Sequence, residues 1–203
     1  MYIRRVPRLI DHSVREQAIA DAAWRVLARD GILALSVRNV AEEAGLATAS
    51  LRRSFPTQDA LRAYCLELAG RRAQARLDAL PIGTDMRRHV EQCLEQLLPL
   101  DPDRRMEMEV FLTLGALAFT NPVMRASFDT SHALVGQACA SLLGMLAETP
   151  PYTGLRPRLA EHGRRLQVLI DGLGFHLAHN PELPPSWATH ELRRYLDALR
   201  EAA

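Results

Sequence analysis

Two adjacent arginines, Arg52 and Arg53, follow Thr48, Ala49 and Ser50 by about one helical turn, while Leu51 and Phe55 point the other way. Guanidinium groups meet phosphate oxygens through a planar fork of N–H donors, and small or hydroxylic neighbours let the backbone come close to a ligand surface. A helix with that outward face suits contact with a polyanion. Arg38 adds a third cation in the segment just before it, and Ser36 and Thr57 supply hydroxyls at either end of the stretch.

These side chains need a scaffold, and the same stretch provides one. Val37, Val40, Ala41 and Ala44 lie at offsets of 0, 3, 4 and 7, one apolar stripe on a short helix. Ser36 stands where a side-chain oxygen caps the first turn. Gly45 ends the helix in a left-handed cap, and Leu46 then turns inward. A second short helix is predicted from about Ala47 to Ser54. Two short helices across a tight glycine turn make a helix-turn-helix; the plainer alternative is a helical hairpin with a solvated basic face. A first helix, from His12 or Ser13 to Arg29, holds the pair through Ala18, Ile19, Ala22, Ala23, Val26 and Leu27, with Trp24 beside them as a packing residue. Ahead of it, Met1 to Ile10 carries Arg4, Arg5 and Arg8, either a frayed terminus or an arm that gains order on DNA.

The segment Arg15 to Tyr64 resembles the DNA-binding domain of TetR-type (tetracycline-repressor-type) regulators. The resemblance rests on the helix Ala18 to Asp30 with its Asp30-Gly31 stop, on Ser36-Val37-Arg38-Asn39-Val40-Ala41 and on Ala44-Gly45-Leu46. Leu51 followed by Phe55-Pro56, and the opening Thr57-Gln58-Asp59-Ala60-Leu61 of the next helix, complete it. The chain departs from the family pattern in having Ala47 where a capping serine is usual, Ala49 where a glycine is common, and Arg52 in place of a phosphate-contacting tyrosine. The resemblance implies double-stranded DNA with a palindromic operator as partner, a small-molecule effector, a homodimer and a cytoplasmic regulator, more often a repressor. Ser36, Arg52 and Thr57, with Arg53 beside them, would hold phosphates. Arg38, Thr48, Ala49 and Ser50 would approach base edges, Ala49 by apolar contact alone.

Composition agrees with an ordinary globular chain. It has 203 residues, 48% hydrophobic and 24% charged, and its overall charge is +1. The charge is uneven: residues 1–72 hold 12 Arg against 8 Asp and Glu, and residues 73–203 hold 13 against 16. The excess of positive charge lies with the helix-turn-helix, as binding to a polyanion requires. Cys65, Cys93 and Cys139 are widely spaced and form no C-x-x-C pair, so neither a disulfide framework nor a zinc finger is expected. No membrane span is expected either, since no apolar run reaches about 18 residues.

The remainder reads as helices between capped breaks, giving an all-α fold with about nine helices. Residues 1–57 form the arm and DNA-binding domain, a helix over 58–80 connects, and residues 81–203 form an effector-binding and dimerisation domain. Helices are expected over 84–98, 101–120, 121–148, 158–179 and 187–200, with Asp101-Pro102 and Asn121-Pro122 as start signals and 149–157 as a loop. Val110 to Phe119 is apolar nearly all round and is expected to be buried. Leu169 to His176 carries Gly172 and Gly174; two glycines so close in a helix ask for near approach of another helix. By resemblance, these glycines and the stripe Leu192, Tyr195, Leu196 and Leu199 pair with a second subunit; internal packing is the alternative. The effector pocket would draw on His89, Cys93, Phe111, Phe119, Met124, Phe128, His132 and Phe175, an apolar, aromatic and sulfur-bearing set suited to a hydrophobic or amphipathic molecule.

Enzyme readings find little support. His89 and Cys93 are two potential metal ligands at i, i+4, which do not close a zinc site, so no metal is expected. Gly172-x-Gly174 is no dinucleotide fingerprint, and no cofactor is expected. His132 near Ser131 and Asp129 is too local for a catalytic triad. An effector-independent DNA-binding protein and a small helical enzyme are the competing functions.

Overall fold

The computed structural model describes residues 12–201, so the arginine-bearing segment 1–10 lies outside the described residues. Among these the architecture is all-α. The helices are α1 (His12–Asp30), α2 (Val37–Glu43), α3 (Thr48–Ser54), α4 (Gln58–Ala79), α5 (Met86–Glu95), α6 (Pro102–Ala116), α7 (Pro122–Ala147), α8 (Leu159–His179) and α9 (Pro185–Glu201). No helix among the described residues is long and apolar enough to cross a membrane. Two compact units divide between Cys65 and Leu66, within α4.

In the first unit the α1 stripe is buried as its spacing predicts, with Ala22, Ala23 and Val26 fully enclosed and Trp24 buried beside them. Val40, Ala41, Leu51, Phe55 and Leu61 complete this core. Ser36 caps α2, its Oγ accepting from the Asn39 N–H at 3.1 Å. Gly45 has φ 64°. Its N–H donates to the Glu42 carbonyl at 3.1 Å and that of Leu46 to the Ala41 carbonyl at 2.8 Å, a paired arrangement that satisfies the free carbonyls at the end of α2. A short 3-10 turn, Ile32–Ala34, follows Gly31, an element the periodicity of the sequence does not mark.

In the second unit α7 and α8 make the most extensive pairing. Three glycines set close approaches: a Cβ on Gly115 would stand 2.6 Å from the Phe128 ring, one on Gly136 2.5 Å from the Gln167 Oε1, and one on Gly174 2.5 Å from the Met108 Cε. Asp101 and Asn121 cap α6 and α7 with proline in the first turn of each, as their sequences predict. Three expectations need correction. The helix ending α6 tightens to a 3-10 turn at Leu117–Phe119, which swings Phe119 outward to 83% exposure. The Arg125 guanidinium covers that ring 5.7 Å from its centroid. The 149–157 segment is not simply a loop, since Tyr152–Arg158 forms a 3-10 helix anchored by the buried Tyr152 and Leu155.

The third correction concerns α9. Leu192, Leu196 and Leu199 are buried inside this unit, joined with Leu166, Ile170, Leu173 and Leu177 of α8 in one core. Their stripe leaves nothing for a second subunit to cover, because the unit's own helices already cover it. Gly174 likewise serves an internal contact, with Met108 of α6. Tyr195 is half-buried, its hydroxyl donating to the His162 carbonyl at 3.1 Å. Gly172 has open space where a Cβ would stand, and on the same outward face of α8 Val168 is 72% and Phe175 49% exposed.

Candidate nucleic-acid interface and ligand cavity

α3 starts at Thr48 after Ala47, whose extended backbone places it at the cap position without any side-chain bond. Leu51 anchors the helix in the core and turns Ala49, Arg52 and Arg53 to solvent, with Arg38 exposed on α2. Among the described residues, these three arginines make no ion pair or side-chain hydrogen bond. The other described arginines of the unit are engaged. Arg25 and Arg29 clamp Glu43 at 2.7 and 2.8 Å, and the Arg25 and Arg29 hydrogen bonds hold the Glu43 carboxyl below the usual carboxylate range. Arg62 pairs with Asp59 at 2.9 Å. Arg15 donates to the Ser50 Oγ at 2.9 Å and to the Ser50 carbonyl at 3.3 Å.

That last contact was not legible in the sequence, since it joins residues 35 apart. It ties α3 to the start of α1 and occupies the Ser50 hydroxyl as an acceptor. Ser36 and Thr57 are engaged in the same sense: the Thr57 Oγ1 accepts from the Ala60 N–H at 3.0 Å, capping α4. Each hydroxyl keeps its own proton to donate, so capping and phosphate contact are compatible. Thr48 and Ser50 are half-buried. Gln58 donates to the Leu35 carbonyl, fixing the start of α4 to the turn before α2.

The second unit holds a half-open cavity of about 90 Å³. α4 contributes Leu66, Ala69, Gly70 and Ala73; Leu97 and Leu98 lie beyond α5; Met108 and Phe111 come from α6, Val135 from α7 and Ile170 from α8. Polar groups on the wall are Gln96, Arg104, Glu107, Ser131 and Asp171. Of the eight residues expected to form a pocket, Phe111 is on this wall. Phe128 and His132 stand behind it, with ring centroids 5.1 and 6.4 Å from that of Phe111. Met124 is fully buried elsewhere. Phe119 and Phe175 face solvent, the latter stacked on His179 at 4.1 Å. His89 and Cys93 lie buried on α5, their Nε2 and Sγ 3.6 Å apart; no group of three metal-ligating side chains occurs among the described residues.

The cavity residues that sequence reasoning missed carry a faint signal, the run of small residues Ala69, Gly70 and Ala73 on α4. Glu107 is the buried carboxylate of that wall. Buried to 7% exposure, it takes two bonds from Arg76 at 2.7 and 2.6 Å and one from Arg72 at 3.2 Å. Removing a buried carboxylate from its partners is costly, so this triad binds α4 firmly to α6.

Comparison with known proteins supports both halves. Residues 19–65 match the family model described as bacterial regulatory proteins, tetR family. Residues 86–201 match the model described as BetI-type transcriptional repressor, C-terminal. The HTH-type transcriptional regulator PksA of Bacillus subtilis (strain 168) is 32% identical over 177 residues, covering 87% of this chain and 84% of that protein. A transcriptional regulator from Rhodococcus sp. Rha1 superposes with a TM-score of 0.75 at 26% identity, over 92% of this chain and 96% of that one. The multidrug binding protein EbrR, solved with ethidium, matches with a TM-score of 0.63 at 26% identity, over 89% of this chain and 98% of its own.

Proposed function

Because the chain belongs to the TetR family of bacterial transcriptional regulators, we propose that it is a homodimeric repressor that leaves a palindromic operator when an apolar or amphipathic molecule fills the cavity of its second unit. The observation that carries the DNA-binding half is the set of three arginines, Arg38, Arg52 and Arg53, with no partner among the described residues. In this reading Arg52, Arg53, Ser36 and Thr57 meet phosphates, and Arg38, Thr48, Ala49 and Ser50 face the bases. Arg15 positions α3 for that contact. A symmetric pair of such helices suits half-sites about 34 Å apart along the duplex. The protein acts beside the chromosome, in the cytoplasm.

The dimer surface we assign to the outward face of α8, where Val168, Gly172 and Phe175 lie, together with the half-buried Tyr195 and Trp187 of α9. The effector reading rests on the cavity. Its volume of about 90 Å³ has room for about three waters, well below the roughly 300 Å³ at which drug-sized pockets begin. A larger occupant therefore presses on the walls as well as extending through the open side. One wall is α4, so the displacement passes along the helix that leads to the DNA-binding unit. EbrR's ethidium supports an aromatic, largely apolar occupant.

Selection of bound fragments from random duplex DNA tests this. The expected result is a palindrome whose half-sites are one helical turn apart. A purified protein that enriches no sequence, even at low salt, overturns the proposal.

A further inference from the structure

α3 is a seven-residue helix with few attachments. Ala47 gives it no side-chain cap, and its buried anchors are Leu51 and the Phe55 that follows it. Among the described residues, a single side-chain hydrogen-bonding partner joins it to another helix. That partner is Arg15 of α1, whose Nη2 donates to the Ser50 Oγ at 2.9 Å and to the Ser50 carbonyl at 3.3 Å. Arg15 and Ser50 are both half-buried.

This contact does more than tether α3. One nitrogen meets two acceptors of the same residue, so Ser50 is held in the χ1 rotamer that brings its hydroxyl and its carbonyl to one side. A serine without that partner samples three staggered wells. A guanidinium has donors only, so the hydroxyl proton of Ser50 cannot turn toward Arg15. Among the described residues no acceptor takes that proton, and it is left for an acceptor outside the protein. A bond from a charged donor also polarises the hydroxyl and strengthens its own donation.

Resting on the reading of α3 as the helix that enters the groove, we propose that Arg15 is a specificity-determining residue that acts through Ser50. It presents the Ser50 hydroxyl as a hydrogen-bond donor to one base edge. Such a donor fits guanine O6 or N7, adenine N7 or thymine O4. It finds no acceptor on cytosine, whose major-groove edge carries the N4 amino group. Arg15 is thus a positioning residue for base reading. A plain phosphate contact from its guanidinium would instead raise affinity for every duplex alike and carry no sequence preference.

Selected operators and salt titrations separate these roles. Full-length wild type, Arg15→Ala, Ser50→Ala and the double variant are compared on the operator that the wild type selects from random DNA and on its single-base variants, by fluorescence anisotropy. Arg15→Ala is expected to relax the preference at one base pair by about fivefold, the lower end of what one side chain contributes to discrimination. Preferences at the other positions and the slope of log affinity against log salt stay as in the wild type. Ser50→Ala relaxes the same base pair, and adding Arg15→Ala to it changes that preference no further. A uniform loss in Arg15→Ala, with the salt slope lower by about one, makes Arg15 a phosphate contact and overturns the proposal. An Arg15→Ala effect on base preference that persists in the Ser50→Ala background overturns it too. Alanine is a better helix former than serine, so Ser50→Ala exposes the proposal even when Arg15→Ala fails to fold: unchanged preference at every base pair in that variant overturns it. A wild type that enriches no sequence overturns the DNA-binding reading itself, and this proposal with it.

Discussion

Arg38, Arg52 and Arg53 stand apart from the other described arginines of the first unit because none of their side-chain donors is spent on another described residue. Arg25 and Arg29 stabilise the α1–α2 packing through Glu43; the exposed three are free to release counterions from a polyanion. Replacing Arg52 by Ala is expected to weaken binding to all duplexes alike and to lower the slope of log affinity against log salt by about one. Fluorescence anisotropy at several salt concentrations measures this. A loss confined to one base pair of the operator would instead make Arg52 a base reader. Residue types and their spacing made this face visible, but not the Arg15–Ser50 contact, which depends on how α1 and α3 are brought together rather than on either segment's pattern.

Three helix starts were legible because a cap carried them. Ser36, Asp101 and Asn121 each bond the first-turn N–H groups that their sequences predict. Periodicity identified the apolar side of α9 equally well but could not say which helix would cover it. Leu192, Leu196 and Leu199 have the same spacing whether they meet their own α8 or that of a second copy. The cavity was the least legible part, because α4, α6, α7 and α8 each lend it only one or a few residues. Phe119 misled for a related reason: composition made Val110 to Phe119 a buried block, whereas the change from α to 3-10 geometry rotated its last ring into solvent.

α8 also carries a pH response. Burial, reinforced by Arg158 and Arg165 and opposed by Glu161, pulls the His162 imidazole below its ordinary range. The unfolded chain then takes up a proton near pH 6.5 while the folded chain resists it. Stability from this residue is therefore present above about pH 6.5 and is lost as pH falls below it. Urea unfolding at pH 7.5 and 5.5 should show a drop in midpoint for the wild type and a smaller one for His162→Leu.

At the scale of the whole molecule, the assigned dimer surface depends on exposed side chains of α8. Val168, at 72% exposure, touches too little of its own chain for a charge there to disturb the fold. Val168→Glu is expected to sediment as a single subunit with wild-type helix content and to bind the full operator no better than an isolated half-site. A dimer unaffected by this change places the interface elsewhere. Sedimentation and operator binding must fail together, since one duplex contact per subunit cannot reproduce the affinity of two.

The close approach of Met108 to Gly174 has a consequence for tuning. A methyl group added at position 174 would fall 2.5 Å from the Met108 Cε, and the flexible thioether chain yields more readily than the helix. Met108 is itself a wall residue of the cavity, so in Gly174→Ala the displaced tip intrudes on the space that the effector must open. Such a protein should grip its operator normally, with release demanding a higher dose of inducer in a reporter strain. Bulk at a position hidden behind the wall thus acts as a dial on sensitivity, set without altering a single group that touches DNA.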